Sequence, residues 1–175
     1  MTRRVLVVFV LAAVLVVAGC RPQPPAPLTA AEQAAIRDEV MATVKALFAA
    51  AESLDMEAGK RLVIDGPEFF YVMPDGAVLS LAELMKYGSE MLATLSDQVF
   101  ITQKEHLIVL GRDTALYVWQ GRNDLTQKDG TVVRSDPYAA TYLLRKVDGV
   151  WKLAYAHESG LPYQPVKPEG AAPAK

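Results

Sequence analysis

Two histidines are the only side chains of this 175-residue chain that ordinarily titrate near neutral pH, and they are His106 and His157. An imidazole can act as a general base, and a paired His106/His157 site would suit dehydration chemistry. The alternative for His157 is a structural role at a strand end, hydrogen-bonded to Ser159 or to a tyrosine hydroxyl. No further ligand cluster at metal-binding spacing accompanies the histidines, so we predict no metal site and no cofactor.

A second polar feature combines Arg134 with the dipeptide Asp136-Pro137. One interpretation is a charged clamp at the rim of a binding site. The other, which we favour, is a solvated bulge in a strand, because proline has no N–H to contribute to the strand ladder.

The single cysteine, Cys20, follows two arginines, an apolar run over residues 5–17 and the small residues Ala18 and Gly19. This order predicts a secretory signal peptide over residues 1–19. The small-small-Cys ending resembles the lipobox of bacterial lipoproteins. The resemblance implies cleavage before Cys20 and lipidation of its thiol. The alternative is an ordinary cleavable signal that leaves Cys20 as a free thiol.

Removal of residues 1–19, two of them basic, would leave 156 residues with a formal charge of −4. Such a chain has no general attraction to nucleic acid, and its membrane attachment would come from acyl chains on Cys20. Arg21 follows the cysteine where an inner-membrane retention Asp would stand. We therefore expect a location in the cell envelope, at the outer membrane facing the periplasm in a Gram-negative cell.

Proline-rich segments flank the part of the chain that we expect to fold. Residues 20–28 comprise the cysteine and a semi-extended tether. Residues 161–175 contain four prolines and are predicted to be a disordered tail. One domain is predicted between them, over residues 29–160.

Local patterns predict three helices followed by four long strands. Capping boxes at Thr29 and Ser80 begin two of the helices, and Asp55 caps a short helix between them. A first strand is predicted at 68–73, and the long strands at about 97–110, 114–124, 131–146 and 150–158. Short turns make neighbouring long strands antiparallel, which indicates an α+β domain.

This order resembles the NTF2-like, or cystatin-like, α+β cone, and within it the SnoaL-like branch. The matching segments are LDMEA (54–58), PDG (74–76), LSLAEL (79–84), DTA (113–115), LRKVDGVWKL (144–153) and HES (157–159). The resemblance implies about three helices packed on a curved, mainly antiparallel sheet around a pocket. It does not imply one activity, because the fold hosts isomerases, dehydratases, cyclases and non-catalytic binding subunits.

Alternation along the strands predicts which side chains face that pocket. On the last strand Trp151, Leu153, Tyr155 and His157 share one face. We expect that face to point inward, because the other contains Lys152 and Glu158. The resemblance also places Tyr142 inward. The predicted ligand-binding residues are Tyr71, Tyr117, Trp119, Tyr142, Tyr155 and His157. Each aromatic residue among them has a simpler alternative as core.

The resemblance also permits a test of steroid-isomerase chemistry. In that branch of the fold, an Asp before the turn proline is the base, and a Tyr on the first helix and an Asp on the penultimate strand bind the oxyanion. Here those positions correspond to Met73, about Leu47 and about Tyr142. Only Tyr142 can donate a hydrogen bond, so we reject that mechanism.

Our leading hypothesis is a non-catalytic, lipid-anchored envelope domain that binds a small, mostly apolar ligand or a partner protein. An alternative is a dehydratase, isomerase or cyclase that uses His157 and Tyr142. A third is a structural envelope subunit whose cone is filled by its own side chains. The middle strand is apolar on both faces, and the face that does not pack on the helices offers an interface for a homodimer through the sheet, as is common in the family.

Overall fold

The computed structural model describes residues 26–166. The predicted signal peptide, the lipidation site Cys20 and most of the tether lie outside the described residues. In the described part of the chain, no helix combines the length and the apolar character needed to cross a membrane.

Three helices form where the capping signals predict them: α1 (Ala30–Glu52), α2 (Met56–Arg61) and α3 (Leu81–Leu92). At the start of α1, the Thr29 N–H donates to the Glu32 carboxylate at 2.7 Å, and the Glu32 N–H donates to the Thr29 hydroxyl at 3.2 Å. Ser80 and Glu83 form the same reciprocal cap on α3. Each cap stabilises its helix by about 1 kcal/mol.

Seven strands within the described residues form one curved, unclosed sheet. They are β1 (Phe70–Val72), β2 (Val78–Leu79), β3 (Leu95–Val109), β4 (Thr114–Gln127), β5 (Val132–Val147), β6 (Val150–Gly160) and β7 (Gln164–Pro165). The order is β2-β1-β6-β5-β4-β3, and β7 pairs with β5. Only the β1–β6 pair is parallel. The predicted α+β class is confirmed.

The end of the chain differs from the prediction of a disordered tail from residue 161 onward. Tyr163 packs against the core, β7 pairs with Val133 and Arg134, and the Val166 N–H donates to the Val132 carbonyl at 2.8 Å. The tail prediction is therefore wrong for residues 161–166, because Gln164 and Pro165 pair with β5 and the Leu161 and Val166 N–H groups donate to it. Residues 167–175 lie outside the described part.

Helix α1 lies across the concave face of the sheet. Its buried residues Ile36, Val40 and Val44 follow the helical spacing seen in the sequence and belong to the core. On the sheet side, the core consists of inward residues of three strands: Ala115, Tyr117, Trp119, Tyr138, Ala140, Tyr142, Leu144, Trp151, Leu153 and Ala156.

One carboxylate fastens α1 to the β5–β6 hairpin. Glu39 accepts hydrogen bonds from the Lys146 ammonium at 2.5 Å and from the Trp151 indole N–H at 2.8 Å. These donors, first Lys146 and then Trp151, lower the pKa of the Glu39 carboxyl. The N-terminal half of α1 is thereby held at the end of the sheet where β5 turns into β6.

A β-bulge in β6 decides which residues face the helices. Leu144 pairs with Leu153 and Leu143 pairs with Tyr155, so Ala154 is an extra residue. An extra residue reverses the alternation of the strand beyond it. Trp151 and Leu153 therefore face inward before the bulge, and Ala156 and Glu158 face inward after it.

The predicted inward face of the last strand is thus half correct. Trp151 and Leu153 face the core, as expected, and Lys152 faces away. The expectation is wrong for Tyr155 and His157, which lie on the outer face, and for Glu158, which lies on the inner one. The reason is the bulge at Ala154, because simple alternation assumes an uninterrupted strand.

A second bulge lies in β5. Gly121 pairs with Tyr138 and Asn123 pairs with Ser135, so Asp136-Pro137 bulges from the ladder and is exposed. On the outer face, the Arg134 guanidinium donates two hydrogen bonds to the Asp124 carboxylate, both 2.7 Å long. The segment is a solvated bulge, and none of its charged side chains lines the cavity described below.

Candidate functional site

A cavity of about 360 Å³ lies between the helices and the concave face of the sheet. Such a volume falls in the range typical of small-molecule sites. Its helical wall is mainly apolar and includes Leu47, Phe48, Met56, Leu84, Met85 and Met91. Its sheet wall is mainly aromatic and polar and includes Tyr71, Gln98, Asn123, Tyr138, Tyr142, Glu158 and Tyr163.

Glu158 provides the carboxyl group of the sheet wall. The bulge at Ala154 turns its side chain inward. The Tyr138 hydroxyl, from the neighbouring strand β5, donates a short hydrogen bond to the Glu158 carboxyl. On the other side, Tyr71 of β1 directs its hydroxyl at the same carboxyl group. Two phenols from two strands therefore flank one carboxyl.

Burial dominates the ionisation of Glu158. Removal from water raises the pKa of the carboxyl, and the hydrogen bonds from Tyr138 and Tyr71 lower it only in part. None of the ion pairs among the described residues includes Glu158. The carboxyl is thus stabilised by neutral donors and has no bonded cationic partner in the described part of the chain.

The tyrosines of the wall are held in the neutral form. Burial is the main cause that raises the pKa of Tyr71, Tyr138 and Tyr142, and the nearby Glu158 carboxylate raises each further. A phenol with a raised pKa keeps its proton at neutral pH and remains a hydrogen-bond donor. The wall therefore offers neutral O–H groups around one titratable carboxyl.

A polar chain continues from Tyr138 along the sheet wall. The Tyr163 ring lies 6.3 Å from the Tyr138 ring, and its hydroxyl accepts a hydrogen bond from the Asn123 amide at 2.7 Å. The Gln98 amide donates to the Asn123 carbonyl at 3.5 Å. Both amides are buried. Tyr163 comes from the segment after β6, so this segment completes the wall.

The structure brings two of the six predicted ligand-binding residues, Tyr71 and Tyr142, to the cavity wall. Tyr117 and Trp119 are core residues that do not line it. The Tyr117 hydroxyl donates to Glu105 at 2.7 Å, and the Trp119 indole N–H donates to Thr102 at 2.8 Å. These two aromatic residues therefore belong to the packed core next to the cavity wall.

Tyr155 and His157 lie on the outer face of the sheet, away from the cavity. The Tyr155 ring packs against Phe70 with the ring centroids 4.9 Å apart. His157 is exposed and pairs with Thr141. Tyr142 points inward, so the two residues proposed for acid–base chemistry, Tyr142 and His157, lie on opposite faces.

The two histidines do not form a paired site. Strand pairing links them in the row His157, Thr141, Val118 and His106. Three strand spacings of about 4.8 Å separate His106 from His157, or roughly 14 Å. They share the outer face but cannot act on one substrate atom.

Sequence reasoning missed Glu158, Tyr138 and the polar chain that ends at Gln98. The missed residue on β6, Glu158, has one signal in the sequence. The four residues from Leu153 to Ala156 are all apolar, so polar–apolar alternation is interrupted there, as it can be at a bulge. Counting alternation separately on the two sides of that break would have placed Glu158 inward.

The protonation states of Glu158 and of the neighbouring tyrosines decide which chemistry this wall can perform. The Glu158 carboxyl can accept a proton or pair with a positive charge, and the flanking phenols can donate hydrogen bonds. In the described part of the chain, no group of three or more His, Cys, Asp or Glu side chains is placed to hold a metal ion.

Comparison with known proteins gives the fold family. Residues 40–164 match the family described as the SnoaL-like domain. No curated protein matches the chain.

Three solved structures illustrate the likeness. A candidate dehydratase of the NTF2-like family from Streptomyces avermitilis is 23% identical over 71% of this chain and 95% of its own, with a TM-score of 0.63. An NTF2-like superfamily protein from Salmonella enterica serovar Typhimurium is 18% identical over 82% and 99%, with a TM-score of 0.66. The hexachlorocyclohexane dehydrochlorinase LinA type 3 from Novosphingobium barchaimii is 10% identical over 83% and 100%, with a TM-score of 0.66. At these identities the likeness shows the fold alone.

The raised pKa of Glu158 predicts a pH-dependent cost to stability. A glutamate in an unfolded chain has a pKa of about 4.3. Above that pH the folded chain binds more protons than the unfolded chain, so the free energy of unfolding falls as pH rises through the raised pKa. Glu158→Gln removes this contribution. We expect the stability of the variant relative to wild type to increase with pH over this window.

Urea unfolding at a series of pH values measures this difference. Glu90→Gln, at an exposed glutamate on α3, is the matched control and should run parallel to wild type. Parallel curves for Glu158→Gln and wild type would contradict the assigned pKa shift.

Proposed function

The chain belongs to the SnoaL-like domain family, and on this premise we propose that it is a binding domain holding a small, mostly apolar ligand inside its cone. The observation that supports this proposal is the cavity of about 360 Å³ with an apolar helical wall and one carboxyl on the sheet wall. Apolar surface of this kind supplies affinity, and a few placed polar groups fix orientation. An unfilled cavity also argues against the alternative of a structural subunit with a filled cone.

The proposal places this domain in the cell envelope, anchored through a lipid on Cys20. The position of the first described residues is compatible with such a tether. Arg112, in the β3–β4 turn, donates to the Ala26 carbonyl at 3.0 Å and to Glu32 at 3.3 Å. The described chain therefore begins at the turn end of the sheet.

The cavity lies toward the other end of α1. Leu47 is the first α1 residue in its wall, 17 residues after Ala30, which is roughly 25 Å along a helix at 1.5 Å per residue. A domain tethered near Ala26 would thus keep its cavity away from the attachment point, open to ligands of the surrounding compartment.

An acid–base enzyme is the second candidate function, and Glu158 is the observation that favours it. A buried carboxyl with a raised pKa beside two phenols is a common arrangement for proton transfer. Two of the similar structures are named as a candidate dehydratase and a dehydrochlorinase. In this reading Glu158, rather than His157, is the proton-transfer group, because only Glu158 lines the cavity.

The binding function predicts that filling the cavity removes the ligand. Ala51 lines the cavity and Ala49, on the same helix, is exposed and does not. We expect Ala51→Trp to abolish retention of a small molecule and Ala49→Trp to leave it intact. Native mass spectrometry of the protein as purified from cells measures the added mass. Retention of the same mass in Ala51→Trp would contradict binding in this cavity.

The lipid anchor predicts that Cys20→Ser moves the protein out of the membrane fraction, because no acylated thiol remains. Cell fractionation and labelling with radioactive palmitate measure the two effects. The wild-type protein is the control and should sediment with membranes and label. A Cys20→Ser variant that still does both would show that the lipobox interpretation is wrong.

The two candidate functions predict different effects when Glu158 of β6 is substituted, and the adjacent His157 provides the control. An enzyme should lose about 10²-fold or more in turnover of its substrate on Glu158→Gln, because its proton-transfer group is gone. His157→Ala is the matched control on the opposite face and should leave turnover unchanged. Turnover assays on candidate substrates identified from the bound mass test this. Equal turnover in wild type and Glu158→Gln would eliminate the second candidate.

A further inference from the structure

The sheet wall of the cavity contains one carboxyl group and, among the described residues that line it, no cationic side chain. Glu158 is a carboxyl on the wall, and no ion pair of the described residues includes it. Lys60 also lines the cavity, but it is exposed and lies on the helical wall. An anion bound at the sheet wall would therefore meet the Glu158 carboxylate with no cation of that wall beside it, which disfavours anionic ligands there.

The carboxyl also has unused hydrogen-bonding capacity. An ionised carboxylate offers about four lone-pair sites, and Tyr138 and Tyr71 are the two groups that interact with it. The remaining sites can accept further N–H or O–H donors. A charged N–H donor is the stronger partner, because charge-assisted hydrogen bonds are shorter and roughly twice as strong as neutral ones.

Aromatic side chains lie around the same carboxyl. Tyr71, Tyr138 and Tyr142 all line the cavity and all interact electrostatically with Glu158. Phe48, on the helical wall, lies with its ring 6.3 Å from the Tyr142 ring. The face of an aromatic ring attracts a cation, most strongly where water is excluded. The combination of one carboxylate and several aromatic side chains is therefore complementary to a positive charge on an apolar body.

We propose that the cavity selects lipophilic organic ammonium ions, whose N–H groups would bind Glu158 beside the aromatic side chains of Tyr71, Tyr138 and Tyr142. This inference rests on the proposed binding function, because it names the ligand class of that same cavity. The apolar part of the ligand would occupy the space along Leu47, Leu84 and the neighbouring residues of the helical wall.

Two probes with one carbon skeleton test the inference: 4-phenylbutylammonium and the uncharged 4-phenylbutan-1-ol. Isothermal titration of the full-length protein in detergent gives both affinities. We expect wild type to bind the ammonium ion about tenfold more tightly than the alcohol, as the difference between charged and neutral hydrogen bonds suggests. In Glu158→Gln this ratio should fall to about one, because the amide has similar size but no charge.

A second measurement on wild type keeps the test independent of how the variant folds. Ammonium affinity should fall as the pH is lowered through the pKa of Glu158, because the protonated carboxyl has no charge to pair. Alcohol affinity should change much less. The other groups that face this region are Tyr71, Tyr138, Tyr142 and Tyr163, which stay neutral, and Asp55, Lys60, Asp75 and Tyr87 on the helical side and the β1–β2 turn. Asp55 and Asp75 also present carboxyl groups to a cation, so the same two profiles are measured in Asp55→Asn and Asp75→Asn. An ammonium preference that falls with pH in both variants as in wild type assigns the effect to Glu158, and its loss in either variant would overturn that assignment.

Each outcome decides the inference. Equal affinities, or a tighter alcohol, would overturn the ammonium preference and leave the proposed binding of apolar ligands intact. If neither probe binds, the ammonium inference fails, and the mass spectrometry of Ala51→Trp decides separately whether the cavity binds another ligand. A preference that persists unchanged in Glu158→Gln would place the cation elsewhere and would also overturn the assignment.

Discussion

The bulge at Ala154 is the constraint on which the inner wall of this protein depends. A single extra residue in β6 reverses the faces of the strand, so the same strand contributes Trp151 and Leu153 to the packed core and Glu158 to the cavity. Without the bulge, His157 would face the helices and Glu158 would face solvent. The division of β6 into a half that packs in the core and a half that reaches the cavity is therefore a consequence of backbone register, because the side-chain period of a strand is two.

Glu158 places a carboxyl group where protein interiors usually contain apolar side chains. A buried carboxyl costs free energy unless donors or charges compensate it, and here the compensation comes from the hydroxyls of Tyr138 and Tyr71. The same hydroxyls lie on two different strands, so the carboxyl also ties the short strand β1 to the body of the sheet. Burial raises the pKa of the carboxyl and of the phenols together, so the phenols remain hydrogen-bond donors beside one carboxyl whose charge depends on pH.

Around this polar group, the rest of the fold forms a stiff frame. Phe48 contacts both Phe100 and Trp119, with ring centroids 5.1 and 5.5 Å away. Trp119 and Tyr117 are in turn bonded to β3 through their polar atoms. Aromatic packing of this kind holds the sheet against α1 at the inner boundary of the cavity. In the N-terminal half of α1, Glu39 fastens the helix to Lys146 and Trp151. The cavity lies beyond this fastened part, where α2 and α3 cover the sheet.

Local pattern in the sequence by itself determined the capped starts of α1 and α3, the four long strands, the α+β class and the family, because caps, turns and alternation depend on residues close together in the chain. The resemblance to the family, rather than local pattern, predicts the inward position of Tyr142, and both Tyr71 and Tyr142 line the cavity. Only the tertiary structure decided the face of Glu158 and His157, because a bulge is defined by pairing with β5 and not by β6 alone. It likewise decided the path of residues 161–166, whose pairing with β5 brings Tyr163 to the wall. The absence of a cationic partner for Glu158 among the described residues has the same origin, since partners are set by contacts between distant parts of the chain.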